Sequence, residues 1–336
     1  MAPALGDVAA LRRASGELVV TGSTRGLLVS TDLGRRWAAR ALPLDCRWPD
    51  LAEVGGRLLH SCAEQRPPAR LLVLAEAGDG GWQAPVVVAT TRELLIDTCL
   101  QPIASGEVLL FATHVDRPRD LDDAVYALRQ YRSLDGGSTW SEPQVVVVGK
   151  RGQHLEDTRS IRLDDGSLLL LNEVERREGR RSVLVQRRSV DDGATWTPPE
   201  VVWRGSDLEP GGYLVLPGGE LWLVASSDRA AGGGSYGRAI IEARTSPDRG
   251  VTWSEPFVLV GEEDQLSFGG VLLPGGDVLV PSVRRFDRPG RRSLALYVVA
   301  GDGSGSWRCV LDEMFADGFE DADAGQWEEL PPPSSR

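Results

Sequence analysis

Short apolar runs recur along the whole chain, bounded by Gly, Pro, Ser and Asp, and no segment carries the period of a long amphipathic helix. Six of the boundaries share one form. Ser15-Gly16, Gly55-Gly56, Ser105-Gly106, Asp165-Gly166, Gly218-Gly219 and Gly275-Gly276 each separate two apolar runs. Glycine supplies positive φ, so each pair predicts a tight turn between two strands. A second pattern runs in phase with the first. Ser30 to Trp37, Ser133 to Trp140, Ser189 to Trp196 and Ser246 to Trp253 all spell S-x-D-x-G-x-x-W. Ala75 to Trp82 and Ala300 to Trp307 are degraded copies. After most of the tryptophans comes a run headed by proline, at Pro85, Pro143, Pro199 and Pro256, a residue tolerated at the start of an outer strand.

Each repeat therefore predicts four strands: one before the glycine turn, one after it, one ending at the Ser-x-Asp and one after the Trp. Six repeats in 336 residues average 56 residues each, which suits the four-stranded blades of a propeller. The expected fold is all-β, a six-bladed β-propeller of four-stranded antiparallel blades over residues 1–312. An acidic, Pro-rich tail at 313–336 is expected to be peripheral.

The Ser and Asp of the eight-residue motif invite a catalytic reading, but their chemistry favours a turn. A Ser hydroxyl and an Asp carboxylate two residues apart can bond backbone N–H groups locally. The Gly takes the left-handed position and the Trp covers the turn. A motif used in nearly every repeat cannot be one asymmetric site, so Asp32, Asp135, Asp191 and Asp248 are assigned to structure.

This repeated motif is the Asp box, or bacterial neuraminidase repeat. With six blades the chain resembles the sialidase superfamily over nearly its whole length. The resemblance implies a site near the axis, on the face formed by the loops that enter the inner strands and those that leave the second strands. It also implies three arginines for a substrate carboxylate, a Tyr–Glu nucleophile pair and an Asp acid/base. The chain departs from that set. Residues Leu5 to Ala10 lack the Arg and Pro of the family's first segment, Thr21 to Gly26 contains no acid, and Ser267-Phe268 stands where the nucleophilic Tyr is expected.

Candidate residues follow from position on that face. Asp97 lies nine residues before Gly106 and Asp157 nine before Gly166, while Glu156 and Glu209 lie ten before Gly166 and Gly219. Glu156, Asp157 and Glu209 are the expected catalytic carboxylates. Two-carboxylate glycosidase chemistry needs such groups about 5 to 10 Å apart. Asp97, Arg159, Arg284, Tyr236 and His114 are the expected substrate-binding residues, with Glu173 and Glu175 able to reach the same mouth. The expected activity is a glycoside hydrolase acting on a terminal sugar of a glycan through a divergent site. The alternative is a non-catalytic propeller that binds carbohydrate or protein.

Charge narrows the partners. A net charge of -12 offers no positive face for nucleic acid or a membrane surface, and no run of 18 apolar residues exists to cross a bilayer. A carbohydrate or other small polar ligand remains. No His–carboxylate spacing marks a metal site, and nothing calls for a cofactor. Met1 to Ala10 lacks the pattern of a secretory signal, so a cytoplasmic location is expected, a mature secreted form being the other possibility. Cys46, Cys62, Cys99 and Cys309 form no C-x-x-C pair. They are expected as buried free thiols, although neighbouring strands could bring Cys46 to Cys62.

Overall fold

The computed structural model describes residues 8–22, 26–45, 47–104, 106–116, 124–176, 181–206, 208–227, 240–261, 265–267, 270–285, 292–300, 306–311 and 327–329. It is an all-β, six-bladed propeller. Blade one is β1 (Val8–Arg12), β2 (Leu18–Gly22), β3 (Gly26–Ser30) and β4 (Ala38–Ala41). Blade two is β5 (Arg47–Val54), β6 (Arg57–Glu64), β7 (Ala69–Ala75) and β8 (Val86–Thr91). Blade three is β9 (Leu94–Pro102), β10 (Val108–Val115), β11 (Tyr126–Ser133) and β12 (Gln144–Val148). Blade four is β13 (Gln153–Arg162), β14 (Leu168–Arg176), β15 (Arg181–Ser189) and β16 (Glu200–Ser206). Blade five is β17 (Glu209–Val215), β18 (Leu221–Ser227), β19 (Ile240–Ser246) and β20 (Phe257–Val260). In each of these blades the strands pair antiparallel in sequence order.

Blade six departs from the simple repeat. Its inner edge is split into β21 (Gln265–Ser267) and β22 (Val271–Leu272), both paired to β23 (Val278–Arg285). After β24 (Arg292–Val299) and β25 (Ser306–Leu311) comes β26 (Trp327–Glu329), which pairs antiparallel with β25. The C-terminal segment thus supplies a strand at the outer edge of the last sheet. The sequence hides it, because three residues inside an acidic stretch carry no alternating pattern.

The six glycine turns have the backbone their residues suggest: Gly16, Gly56, Gly106, Gly166, Gly219 and Gly276 have φ between 77° and 100°. The Asp boxes close the β3–β4, β11–β12, β15–β16 and β19–β20 connections. In the box of blade three, the Ser133 hydroxyl donates to Asp135 Oδ1 at 2.8 Å and accepts from the Gly137 N–H at 2.8 Å. Asp135 also accepts from the Thr139 N–H and hydroxyl at 2.8 and 2.7 Å, and the Trp140 indole donates to Gly137 O at 3.1 Å. The same bonds hold Asp191 and Asp248, whose carboxyls drop to about 2, chiefly through the hydroxyls of Thr195 and Thr252.

The chain divides into two compact units, Met1–Ala41 with Gly205–Arg336, and Leu42–Arg204. In the first, blade one packs on blade six through Val8, Leu18, Val20 and Leu28 against Val271, Leu279 and Leu296, so chain start meets chain end. Blades five and six share a second cluster around Trp222 and Tyr297. In the second unit, blades two and three join through Leu59, Leu71, Val73, Leu110 and Tyr131. Blades three and four are joined by two clusters, one around Phe111, Leu128 and Leu170, the other around Val115, Tyr126, Val174 and Val185. Burying such side chains is worth roughly 1.5–3 kcal/mol each and dominates the stability of the sheets.

The cysteines correct the sequence reading. Cys62 is disulfide-bonded, not a free thiol. Its suggested neighbour Cys46 lies outside the described residues. Cys99 is free and buried, as expected.

Candidate functional site

The inner strands of blades two, three and four are not regular. In each, two residues stand opposite one on the neighbouring strand: Trp48-Pro49 opposite Cys62, Asp97-Thr98 opposite Ala112, and Asp157-Thr158 opposite Asn172. The first residue of each pair is left-handed, with φ of 50° at Trp48, 54° at Asp97 and 51° at Asp157. A bulge of this kind bends the strand and re-aims its side chains. Asp tolerates the conformation through local hydrogen bonding, whereas for a bulky residue such as Trp48 a positive φ is unusual.

The bulges are tied to one another from blade to blade. The Thr98 hydroxyl donates to Trp48 O at 2.6 Å and lies 2.8 Å from the Ser61 hydroxyl. The Asp157 N–H donates to Asp97 Oδ2 at 3.1 Å. The Leu100 N–H donates to Asp50 Oδ2 at 2.6 Å. The Cys99 thiol bonds Asp50 and sits 3.1 Å from the Ser160 hydroxyl. A row of enclosed polar groups therefore runs across three consecutive inner strands.

Burial sets the protonation of this row. The Asp157 carboxyl is hydrogen-bonded to that of Glu173. Desolvation pushes Asp157 up, with Glu156 adding to the rise; Arg159 and the bond to Glu173 pull the other way. Asp50 is likewise pushed up to about 6 by burial, against the Leu100 N–H and the charge of Arg159. Cys99 rises to about 12, which makes it an inert thiol. Asp97 and Glu173 are 5% and 7% exposed, whereas Asp157 is half-buried.

Beside this pair stands a second group. His154 Nδ1 lies 3.4 Å from Glu156 Oε1 and 3.7 Å from Glu175 Oε2, and its ring stacks on Tyr126 at 4.7 Å. The hydrogen bond to Glu156 raises the imidazole's pKa in spite of burial. Burial raises the Tyr126 hydroxyl, with Glu156, Asp97 and Glu175 adding to it.

The sequence-predicted residues divide accordingly. Asp97, Glu156, Asp157 and Arg159 belong to this one neighbourhood, with Arg159 donating to Thr158 O at 2.8 Å and its charge acting on Asp50 and Asp157. His114 does not join them. It is 1% exposed inside blade three, with Nδ1 2.8 Å from Glu93 Oε2 and 3.0 Å from Arg129 Nη1, and Nε2 2.9 Å from the Tyr131 hydroxyl. Both ring nitrogens are engaged, so His114 locks β10 to β11 instead of meeting a ligand. Glu209 opens β17 in the other compact unit and is half-buried. Arg284 lies in β23 opposite Gln265 and Ser293. Tyr236 lies outside the described residues. Trp48, Asp50 and Tyr126 were missed. The repeated Asp-Thr at Asp97-Thr98 and Asp157-Thr158 was the available signal, since two such pairs at one offset mark a conformation as well as a charge.

Among solved structures the chain is similar in fold to several carbohydrate-active enzymes. A Hadza microbial sialidase, Hz136, aligns with a TM-score of 0.60 at 18% identity, over 89% of this chain and 66% of its own, so this chain spans just under two thirds of that protein. A Penicillium chrysogenum α-L-arabinanase bound to arabinobiose aligns with a TM-score of 0.66 at 13% identity, over 90% and 95% of the two chains. A Fusarium graminearum α-L-arabinofuranosidase bound to an iminosugar inhibitor aligns with a TM-score of 0.65 at 12% identity, over 88% and 93%. At such identities the likeness is one of fold. No curated protein matches the chain. Residues 71–313 match the BNR repeat-like domain, which covers most of the blades, and the chain belongs to that family.

Proposed function

We propose that this chain is a glycoside hydrolase that acts on a terminal sugar through the bulged inner strands of blades three and four, with Asp157 as general acid. One observation carries the reading: the half-buried Asp157 carboxyl is bonded to the Glu173 carboxyl and pushed up by burial. Cleaving a glycosidic bond requires a proton for the leaving oxygen, and a carboxyl kept protonated by its surroundings can deliver it. Asp97 braces the donor through the Asp157 N–H. Glu156, next in the strand, supplies the second carboxylate, and Arg159 limits how far Asp157 rises. Similar folds solved with arabinobiose and with an iminosugar support a sugar as ligand.

A carbohydrate-binding propeller without turnover is the second reading. It is favoured by the near-complete enclosure of Asp97 and Glu173, which suits struts between blades. A panel of chromogenic glycosides alongside a glycan array separates the two. Turnover of one glycoside that disappears in Asp157→Asn supports the hydrolase. Glycan binding without turnover, unchanged in Asp157→Asn, supports the binding module.

A further inference from the structure

Beside the bulge of the carboxyl pair, the seam between blades three and four contains a buried cation with few partners. Arg187 is 6% exposed. β15 puts it on the face of Val183 and Val185, which pack against Val115 and Tyr126 of blade three. Its one hydrogen bond runs from Nη1 to Asn172 Oδ1 at 3.3 Å, and among the described residues no carboxylate forms an ion pair with it. Asn172 is itself 0% exposed, and its Nδ2 is spent on the Thr158 hydroxyl at 2.7 Å. A guanidinium has five N–H donors and stays charged in proteins, and among the described residues Nη1 alone has a protein acceptor here. Burial lowers the pKa of Arg187, with no acidic neighbour to offset it.

A second enclosed donor lies in the same layer. In β10, Thr113 sits between Phe111 of one apolar cluster and Val115 of the other; in β14, Asn172 sits between Leu170 and Val174 of the same two clusters. Both therefore belong to a polar layer sandwiched between the two apolar clusters that join the blades. The Thr113 hydroxyl is fully buried and has no hydrogen-bond partner. An unmatched buried charge is strongly disfavoured unless a counter-charge accompanies it. A cation and a free hydroxyl enclosed in one layer, the cation without an acid, are the chemistry that recognises a small anion.

We propose that blades three and four hold a buried, halide-sized anion at Arg187, with the Thr113 hydroxyl as a second donor. A monatomic anion is the smallest counter-charge for a layer that apolar clusters bound on both sides. The ligand is a structural ion and not a substrate, so the proposal stands or falls independently of the glycosidase reading.

The test uses the wild-type chain. Thermal unfolding is measured in chloride, bromide and gluconate at matched ionic strength, which removes general screening. The expected result is a saturable rise in Tm with chloride and bromide but not gluconate, as for a ligand that binds only the folded state. Crystals soaked in bromide should show an anomalous peak beside the Arg187 guanidinium. Thr113→Val should still fold and bind halide about tenfold more weakly, the loss of one hydrogen bond to a charge. A Tm indifferent to halide would overturn the proposal, as would a carboxylate of the chain at the guanidinium in place of the bromide peak.

Discussion

The Asp boxes and the inner-strand bulges both place aspartates in or beside left-handed backbone, yet they treat the carboxylate in opposite ways. In the boxes every donor comes from within four residues: Asp191 is satisfied by Ser189 and Thr195 alone. These carboxylates are exposed, ionised and held at about 2. At the bulges, carboxylates take backbone donors from other blades: Asp97 receives the Asp157 N–H from sixty residues away, and Asp50 receives the Leu100 N–H from fifty residues away. The Asp50 and Asp157 carboxyls are desolvated and pushed up. Local donors lower a carboxyl and make it structural. Desolvation raises it in spite of its distant donors and makes it a proton store.

The largest effect that separates the two regions is on chemistry. For whichever glycoside is turned over, Asp157→Asn should reduce kcat/KM by about 100-fold or more, the usual contribution of a general acid, while the melting temperature changes little. Asp191→Ala should do the reverse, leaving turnover intact and lowering Tm by a few degrees, because the turn between β15 and β16 loses its internal bonds. A scan of both variants, with steady-state rates beside the melts, shows whether the effects cross in this way.

The pH dependence of stability should also split by region. The folded pKa of Asp191 is depressed to about 2, so the unfolded chain binds the extra proton as pH falls. The stability it contributes is present above the ordinary carboxyl range and is lost on acidification towards about pH 2. Asp50 has the opposite sign. Its folded pKa is about 6, so the folded chain holds the extra proton and stability falls as pH rises from about 4 to 6. Asp50→Asn should flatten that decline, and Asp191→Asn should flatten the acid limb. Denaturant titrations across the pH range read both.

A smaller effect tests the pairing itself. In Glu173→Gln an amide donor replaces the partner carboxyl and favours ionised Asp157. The alkaline limb of the pH–rate profile should move to lower pH. An unmoved profile would mean that Glu173 braces the blade without tuning the acid.

The fold was legible because its rules are local. Glycine at a turn, proline at the head of an outer strand and the Ser-x-Asp spacing each act within a few residues, so Gly16, Pro143 and Ser133 can be read from spelling alone. The site was legible only in part. Counting back from Gly106 and Gly166 found Asp97 and Asp157, which occupy matching places in their bulges. The count says nothing of the bulge, because an extra residue in one strand leaves the alternation on either side intact. It therefore missed Trp48 and Asp50. His114 failed for a related reason. Its position near the end of β10 suggested a loop, while Glu93, Arg129 and Tyr131, brought in by three different segments, draw it into the blade.

The sialidase comparison sharpens the same point. The chain lacks the first arginine segment and the acid of the loop after β2, and the neighbourhood of Asp157 is rich in carboxyls. An aryl sialoside, whose carboxylate would meet that negative field, should show little or no turnover. A rate on the order of 1 per second or faster would mean that a positive clamp for the carboxylate exists elsewhere in the chain.

The most direct test of the account is the proton on the Asp157–Glu173 pair. Infrared difference spectra between wild type and Asp157→Asn, recorded from about pH 5, where ordinary carboxyls are ionised, would report it. The account predicts a protonated-carboxyl band in the wild type that is missing in the variant and disappears as pH is raised through neutrality. A wild-type spectrum with only ionised carboxylate at the starting pH would contradict it.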